Sequence, residues 1–177
     1  FSAFGSEVTV LEYAKEVLPH FDSDLAKRLR QSLGKRGIKI ETQAAVKSIA
    51  KEGNGLAVAY ERKGKEQSVT ADKVLMAVGR RANVGTLNLA DIGVDFSPRG
   101  IAVDGNMQTN VPHVYAVGDV NGLMMLAHAA TFQGIRALDA IMGVDDNLRL
   151  DVIPAAVFTM PEVGMVGLTE DDCKAQG

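Results

Sequence analysis

The sequence predicts an α/β chain in which parallel strands alternate with helices and an antiparallel meander is set between them. Three observations carry that prediction. A strand of Val8, Val10 and Leu11 is followed by a helix with Leu25, Ala26, Leu29 and Leu33 at helical spacing and by a second apolar strand at 38–40, which is the order of a βαβ unit. Residues 44–49 and 56–62 read as antiparallel strands joined at Lys51-Glu52-Gly53-Asn54-Gly55, a connection rich in turn residues. Val114, Tyr115, Ala116 and Val117 make a short apolar run of the kind buried on both faces of a sheet, closed by Gly118-Asp119.

Taken in order, Phe1 to Phe4 with Gly5 reads as a helix C-terminus and its left-handed cap. The strand after it ends in Glu12. Helix, glycine, strand and acid form the back half of a dinucleotide-binding βαβ unit, in which the acid takes the adenosine ribose hydroxyls; strands also often end in an exposed Glu. Past Pro19, Asp22 or Ser23 caps the next helix, and Gly37 ends it. Residues 68–71 add a third antiparallel strand, and 73–78 return as an apolar strand into Gly79. Residues 88–93 make a short helical turn, and Pro98, Gly100 and Gly105 shape loops around a strand at 101–103. A helix of small and apolar residues begins near Leu126, carries Ala127, Ala129, Ala130, Ile135, Ala137, Leu138 and Ile141, and stops at Gly143. Asp145, Asp146 and Asn147 read as a surface linker into two strands about Pro161, and Thr169 with Asp172 three residues on starts a last helix.

Composition narrows the function classes. The 177 residues are 46% hydrophobic and 23% charged with net charge −3, enough for one core or for parts of two or three small domains. From Asp139 onward eight acids face only Arg149 and Lys174, a local −6, so no basic field for nucleic acid or anionic lipid is formed. No apolar run reaches the roughly 18–20 residues of a membrane span, and no charged-then-apolar leader is seen, so a cytoplasmic location is expected. The single Cys173 excludes an internal disulfide and lies among charges that do not activate it. His20, His113 and His128 are far apart in sequence, and no metal-ligand spacing, repeat or low-complexity tract occurs.

The residues from Thr109 to His128 hold the chemistry. An acid at the carboxyl end of a buried strand suits sugar or ribityl hydroxyls, and a following helix start offers free N–H groups and positive partial charge. A buried strand followed by Gly-Asp is common, and Met124, Met125 and Leu126 also suit a plain core. The ordered set of Thr109, Pro112, Val114, Tyr115, Ala116, Gly118 and Asp119 resembles the second flavin-binding signature of the pyridine nucleotide-disulfide oxidoreductases, the glutathione reductase superfamily. Met125-Leu126-Ala127-His128 is similar to its dihydrolipoamide dehydrogenase branch in particular. The resemblance runs collinearly over nearly all of the chain.

That resemblance implies that Asp119 binds the ribityl chain of FAD, and that Met125, Leu126, Ala127 and His128 lie against the flavin. It implies that Glu12 binds the NAD ribose and repels the extra phosphate of NADP. Gly79, in a stretch that resembles the family's Gly-Arg element, implies an NAD contact at an open backbone; Ala44 matches a backbone position beside the adenine where the family usually has valine. The implied organisation is a truncated Rossmann-like NAD domain with its β-meander (1–79), a central segment completing the FAD site (80–148) and the start of an α+β dimerisation domain (149–177). The implied activity is oxidation of protein-bound dihydrolipoamide, in a homodimer serving lipoyl-bearing proteins of 2-oxo acid dehydrogenase or glycine cleavage complexes. The family's redox cysteine pair and catalytic His-Glu pair have no counterpart here, so the chain reads as an internal piece of a longer enzyme, inactive alone and without catalytic residues of its own. Mercuric reductase, glutathione reductase, a flavin transhydrogenase and a non-catalytic nucleotide-binding or dimerising module are the competing readings.

Overall fold

A computed structural model describes residues 1–145 and 147–176, so that Asp146 of the expected linker lies outside the described residues. The chain divides into two compact units. One comprises Phe1–Met76 with Ala156–Gly177, the other Ala77–Ala155.

The first unit is built on β1 (Thr9–Glu12), α1 (Ser23–Lys35) and β2 (Lys39–Thr42). The two strands pair in parallel with Glu12 opposite Thr42, as an intervening helix requires. A single 3-10 turn at Ser2–Phe4 precedes them, and its cap Gly5 takes φ +88° and donates its N–H to Ser2 O. Ala26 and Leu29 form the buried stripe of α1. Asp22 stands at the N-cap, yet its side chain does not close its own helix: Oδ1 accepts the Glu170 N–H at 2.7 Å. β3 (Ala44–Glu52), β4 (Gly55–Arg62) and β5 (Lys65–Ala71) form the expected antiparallel meander, with an irregularity between Val46 and Ser48. Val58 and Tyr60 on β4 face its core, and the Tyr60 hydroxyl donates to Gln67 Oε1 at 2.9 Å.

The later part of this unit holds β9 (Val163–Met165) and α3 (Glu170–Gln176); β8 (Ala155–Val157), which pairs with β9, starts at the boundary. The start of α3 is closed reciprocally. Thr169 donates its N–H at 3.0 Å and its hydroxyl at 2.6 Å to Asp172 Oδ2, and Thr169 Oγ1 accepts the Asp172 N–H at 3.1 Å. Cys173 is exposed on this helix.

The second unit centres on buried Leu89, Val94, Ile101 and Ala116, with Val84, Val103, Val111, Val114 and Val120 packed around them. Leu89–Ile92 is the expected short helical turn. β6 (Phe96–Ser97) and β7 (Gly100–Ile101) make a minimal hairpin, so the strand expected at 101–103 ends after Ile101. α2 (Ala127–Met142) starts after Leu126 and ends on Gly143 at φ +69°, both as expected.

Two expected strands do not form. Residues 73–78 take no regular secondary structure and pair with no strand among the described residues, leaving Leu75, Met76 and Val78 at 73%, 69% and 89% exposure. An apolar sequence alone does not make a strand, because ladder hydrogen bonds need a neighbour, and none of the described residues provides one. Val114, Tyr115, Ala116 and Val117 are not buried on two faces either. They run antiparallel to a single neighbour through an isolated Gln108–Tyr115 bridge, with Thr109 N–H donating to Val114 O at 2.8 Å and Ala116 N–H to Met107 O at 3.0 Å. Among the described residues their other side has no strand partner, and Val117 is exposed.

Candidate functional site

The sequence-predicted residues fall into two groups, one in each unit. In the first unit the carboxyl ends of β1 and β2 meet at Glu12 and Thr42, the edge at which open α/β sheets receive ligands. The chain then turns sharply. Ala14 O accepts the Gln43 N–H at 2.9 Å, and Gln43 takes φ +56° before β3 begins at Ala44. Glu12 and Ala44 are thus brought to one end of the parallel pair. Ala44 is buried, and Glu12 is half-buried with Oε1 accepting the Ala14 N–H at 2.7 Å. One oxygen is spent on the loop, leaving the other as an acceptor. Arg62 ties the same end together, donating from Nε to Thr42 O at 2.9 Å and pairing through Nη1 with Glu41 at 2.5 Å.

The second group is set by backbone geometry. After Val117 the chain enters a 3-10 turn at Gly118–Asn121, which places Asp119 in the first turn. Gly118 takes φ +76°, and a Cβ there would press to 3.1 Å from Ala130 Cβ on α2. Gly100 and Gly122 let two backbone segments touch: a Cβ on Gly100 would lie 2.5 Å from Asn121 C and O, and one on Gly122 would overlap Arg99 O. Only glycine accommodates both the positive φ and the contact.

A buried polar network holds this turn. Gln133 Oε1, on α2, accepts the Gly118 N–H at 2.7 Å and Asn121 Nδ2 at 2.9 Å. Asn121 Nδ2 also donates to Ala116 O at 3.1 Å, while its Oδ1 accepts the Leu123 N–H at 3.0 Å. Gly118 and Asn121, one on each side of Asp119, are therefore tied to α2 and to the preceding segment.

The Asp119 carboxylate itself is about half-exposed and pairs through Oδ2 with Arg80 Nη2. Arg80 Nη1 donates to Met125 O at 3.0 Å, so one guanidinium joins the acid to the segment that leads into α2. Leu126 is the N-cap in extended conformation, and no side chain caps the helix; the first-turn N–H groups keep their donor capacity and the positive end of the dipole. His128 lies in that first turn with Nε2 2.6 Å from Pro154 O. A carbonyl only accepts, so Nε2 carries the hydrogen and the ring is oriented by it. Gly79 belongs to this same unit; it is exposed at φ +116° with nothing within 4 Å of a built Cβ.

Asp119 and the 125–128 segment are thus one constellation, whereas Glu12 and Ala44 belong to the other unit. Reading the sequence for sites missed Arg80, Asn121 and Gln133. Arg80 had a signal, standing beside Gly79 in the Gly-Arg pair; the two amides had none, since a polar residue on a helix or after Gly-Asp does not announce its partner. Chemically, a half-exposed carboxylate accepts hydroxyl donors, while an uncapped helix start stabilises negative charge by roughly 0.3–2 kcal/mol. Among the described residues no group of three His, Cys, Asp or Glu is placed to hold a metal ion.

Comparison with known proteins bears on the family and the fold. Residues 1–134 match the family described as pyridine nucleotide-disulphide oxidoreductase. A dihydrolipoyl dehydrogenase of Staphylococcus aureus is 39% identical over 178 aligned residues, and one of Bacillus subtilis strain 168 is 38% identical over 179; both alignments take in 100% of this chain. Among solved structures, LpdA from Mycobacterium tuberculosis superposes with a TM-score of 0.87 at 30% identity, over 99% of this chain and 38% of that one. The HOCl-induced flavoprotein disulfide reductase RclA of Escherichia coli, as its Cu(II) complex, superposes with 0.85 at 27% identity, over 99% of this chain and 40% of that one. The chain spans 38% of the length of those two curated relatives.

Proposed function

Because this chain belongs to the pyridine nucleotide-disulphide oxidoreductase family, we propose that it is the central part of a flavoprotein that oxidises protein-bound dihydrolipoamide, with FAD as the electron relay and NAD as the final acceptor. The observation that carries this reading is the half-exposed Asp119 carboxylate fixed beside the uncapped start of α2. The identity of 39% to a dihydrolipoyl dehydrogenase over the whole chain favours that branch.

The residues fit the cofactor. The ribityl chain of FAD presents hydroxyl donors, and Asp119 Oδ1 accepts no other hydrogen bond among the described residues. When bound, the flavin supplies two-electron chemistry between a dithiol and a nicotinamide. Asp119 accepts the ribityl hydroxyls and so fixes the chain of the cofactor. The first turn of α2, from Ala127, would offer its uncapped N–H groups to the negative charge of a reduced flavin, and the Met125 and Leu126 backbone leads into that turn. His128, whose Nε2–H is committed to Pro154 O, orients the turn and transfers no proton. Glu12 accepts ribose hydroxyls of NAD and repels the phosphate of NADP, Ala44 lines the adenine with its backbone, and Gly79 admits the nucleotide to open main chain.

Residues from 149 onward would open a dimerisation domain, and lipoyl-bearing proteins of 2-oxo acid dehydrogenase or glycine cleavage complexes would be the partners. No helix among the described residues is long and apolar enough to cross a membrane, which suits such an enzyme in the cytoplasm. A general disulfide reductase is the second reading, favoured by the likeness to RclA at a TM-score of 0.85.

The test is to express the full reading frame, record its visible spectrum and assay NADH formation with dihydrolipoamide. Bound flavin with lipoamide-dependent turnover is expected. Bound flavin without that turnover favours the general reductase, and a folded protein without flavin overturns the reading.

A further inference from the structure

We infer that Gln133 is the positioning residue of the flavin site, holding Asp119 in register with the N-terminus of α2 through the Gly118 N–H and the Asn121 amide; this rests on the flavin reading of Asp119. Gln133 is 3% exposed and lies on a face of α2 otherwise buried through Ala129 and Ala137. An amide on such a face costs desolvation that an apolar residue would not. It is offset only by what the amide holds.

What it holds is specific to Asp119. The two donors reaching Gln133 Oε1, at 2.7 and 2.9 Å, come from Gly118 and Asn121, which flank the acid in one 3-10 turn. Asn121 in turn fixes Ala116 O before the turn and the Leu123 N–H after it. Gln133 stands six residues beyond Ala127, or about 9 Å along the axis at 1.5 Å per residue. Both features proposed to meet the flavin, the carboxylate and the helix start, are thus referred to one rigid body. A satisfied buried network of this kind fixes one arrangement out of several compact ones. Loss of its hub leaves the acid present and lets the turn slide against the helix.

The test uses the full-length protein with three substitutions. Gln133→Glu keeps an oxygen acceptor at the same reach, Gln133→Asn withdraws it by one methylene, and Gln133→Met removes it. The readouts are the dissociation constant of FAD from titrated apoprotein and the midpoint potential of the bound flavin. Gln133→Glu is expected within about threefold of wild type in FAD affinity, whereas Gln133→Asn and Gln133→Met lose tenfold or more and shift the potential, because the buried Gly118 and Asn121 donors lose their acceptor. A purely structural role lowers the melting temperature of all folded variants without moving the potential. That result, or wild-type FAD affinity in Gln133→Asn, overturns the inference even where Gln133→Met fails to fold. Wild-type protein that takes up no FAD overturns the flavin reading itself.

Discussion

Asp119 divides its carboxylate, one oxygen on Arg80 and the other left to accept a ligand hydroxyl, and the two partners are exposed to different degrees, 64% for the arginine side chain and 44% for the acid. A pair so open to water contributes at most about 1 kcal/mol to stability. Arg80→Met is therefore expected to leave the melting temperature of the full-length protein within a few degrees of wild type. Asp119→Ala removes charge-assisted acceptors worth roughly 1.5–3 kcal/mol, so FAD should bind some 10- to 150-fold more weakly; retention of wild-type affinity on apoprotein titration would count against the ribityl role. Glu12→Ala takes an acceptor from the β1 edge and should raise KM for NAD about tenfold while narrowing the preference over NADP, as steady-state kinetics with both nucleotides would read out. Residue types and strand ends made Glu12 and Asp119 legible in the sequence. Gln133 and Asn121 were not, because their partners lie 12 to 15 residues away across a fold that spacing does not reveal.

At the scale of elements, local signals proved sufficient wherever the element closes on itself. The start and stop of α2, the meander of β3 to β5 and the Thr169-Asp172 cap all lie where glycines, turn residues and capping pairs put them. The stretches at 73–78 and 114–117 needed neighbours that periodicity cannot supply, and among the described residues they form no strand pairing beyond the Gln108–Tyr115 bridge. The contact of the Arg99-Gly100 backbone with the Asp119 turn was also silent in the sequence. Gly122→Ala would set a methyl against Arg99 O at φ +70°, and a loss of about 3 kcal/mol is expected from strain and overpacking, read as a lowered denaturation midpoint. The cap of α3 gives a pH dependence. The Thr169 hydroxyl, and then its backbone N–H, hold the Asp172 carboxyl below its ordinary value. A carboxyl depressed in the folded state stabilises above its unfolded pKa, about 3.9, and loses that contribution as pH falls through its lower folded value. The side-chain carboxyl carbon of Asp172, followed by NMR, should titrate below the ordinary Asp value of about 3.9, and Thr169→Val should return it towards that value.

The molecule as a whole exposes more apolar surface than an isolated globule tolerates. Leu75 and Met76 are exposed in the first unit, and Val78, Leu138, Ile141 and Met142 in the second, the last at 74% exposure. Large apolar side chains left exposed favour binding to partners or aggregation. The 177-residue chain on its own should bind a hydrophobic dye and self-associate on size exclusion, and Leu75→Lys with Val78→Lys should reduce both. The route of the chain has a further consequence for how the protein is made. The bonds from Glu170 to Asp22 and from Arg36 to Met160 join residues 148 and 124 positions apart, and everything from Ala77 to Ala155 lies between. On a ribosome the amino-terminal part of the first unit emerges and must wait, Asp22 without the Glu170 N–H it accepts and Arg36 without the Met160 carbonyl, until the whole of the second unit has been threaded out. The order of synthesis therefore makes the second unit the earlier to mature, and a pause placed after residue 155 would accumulate a nascent chain with that unit protease-resistant and α1 still open to cleavage.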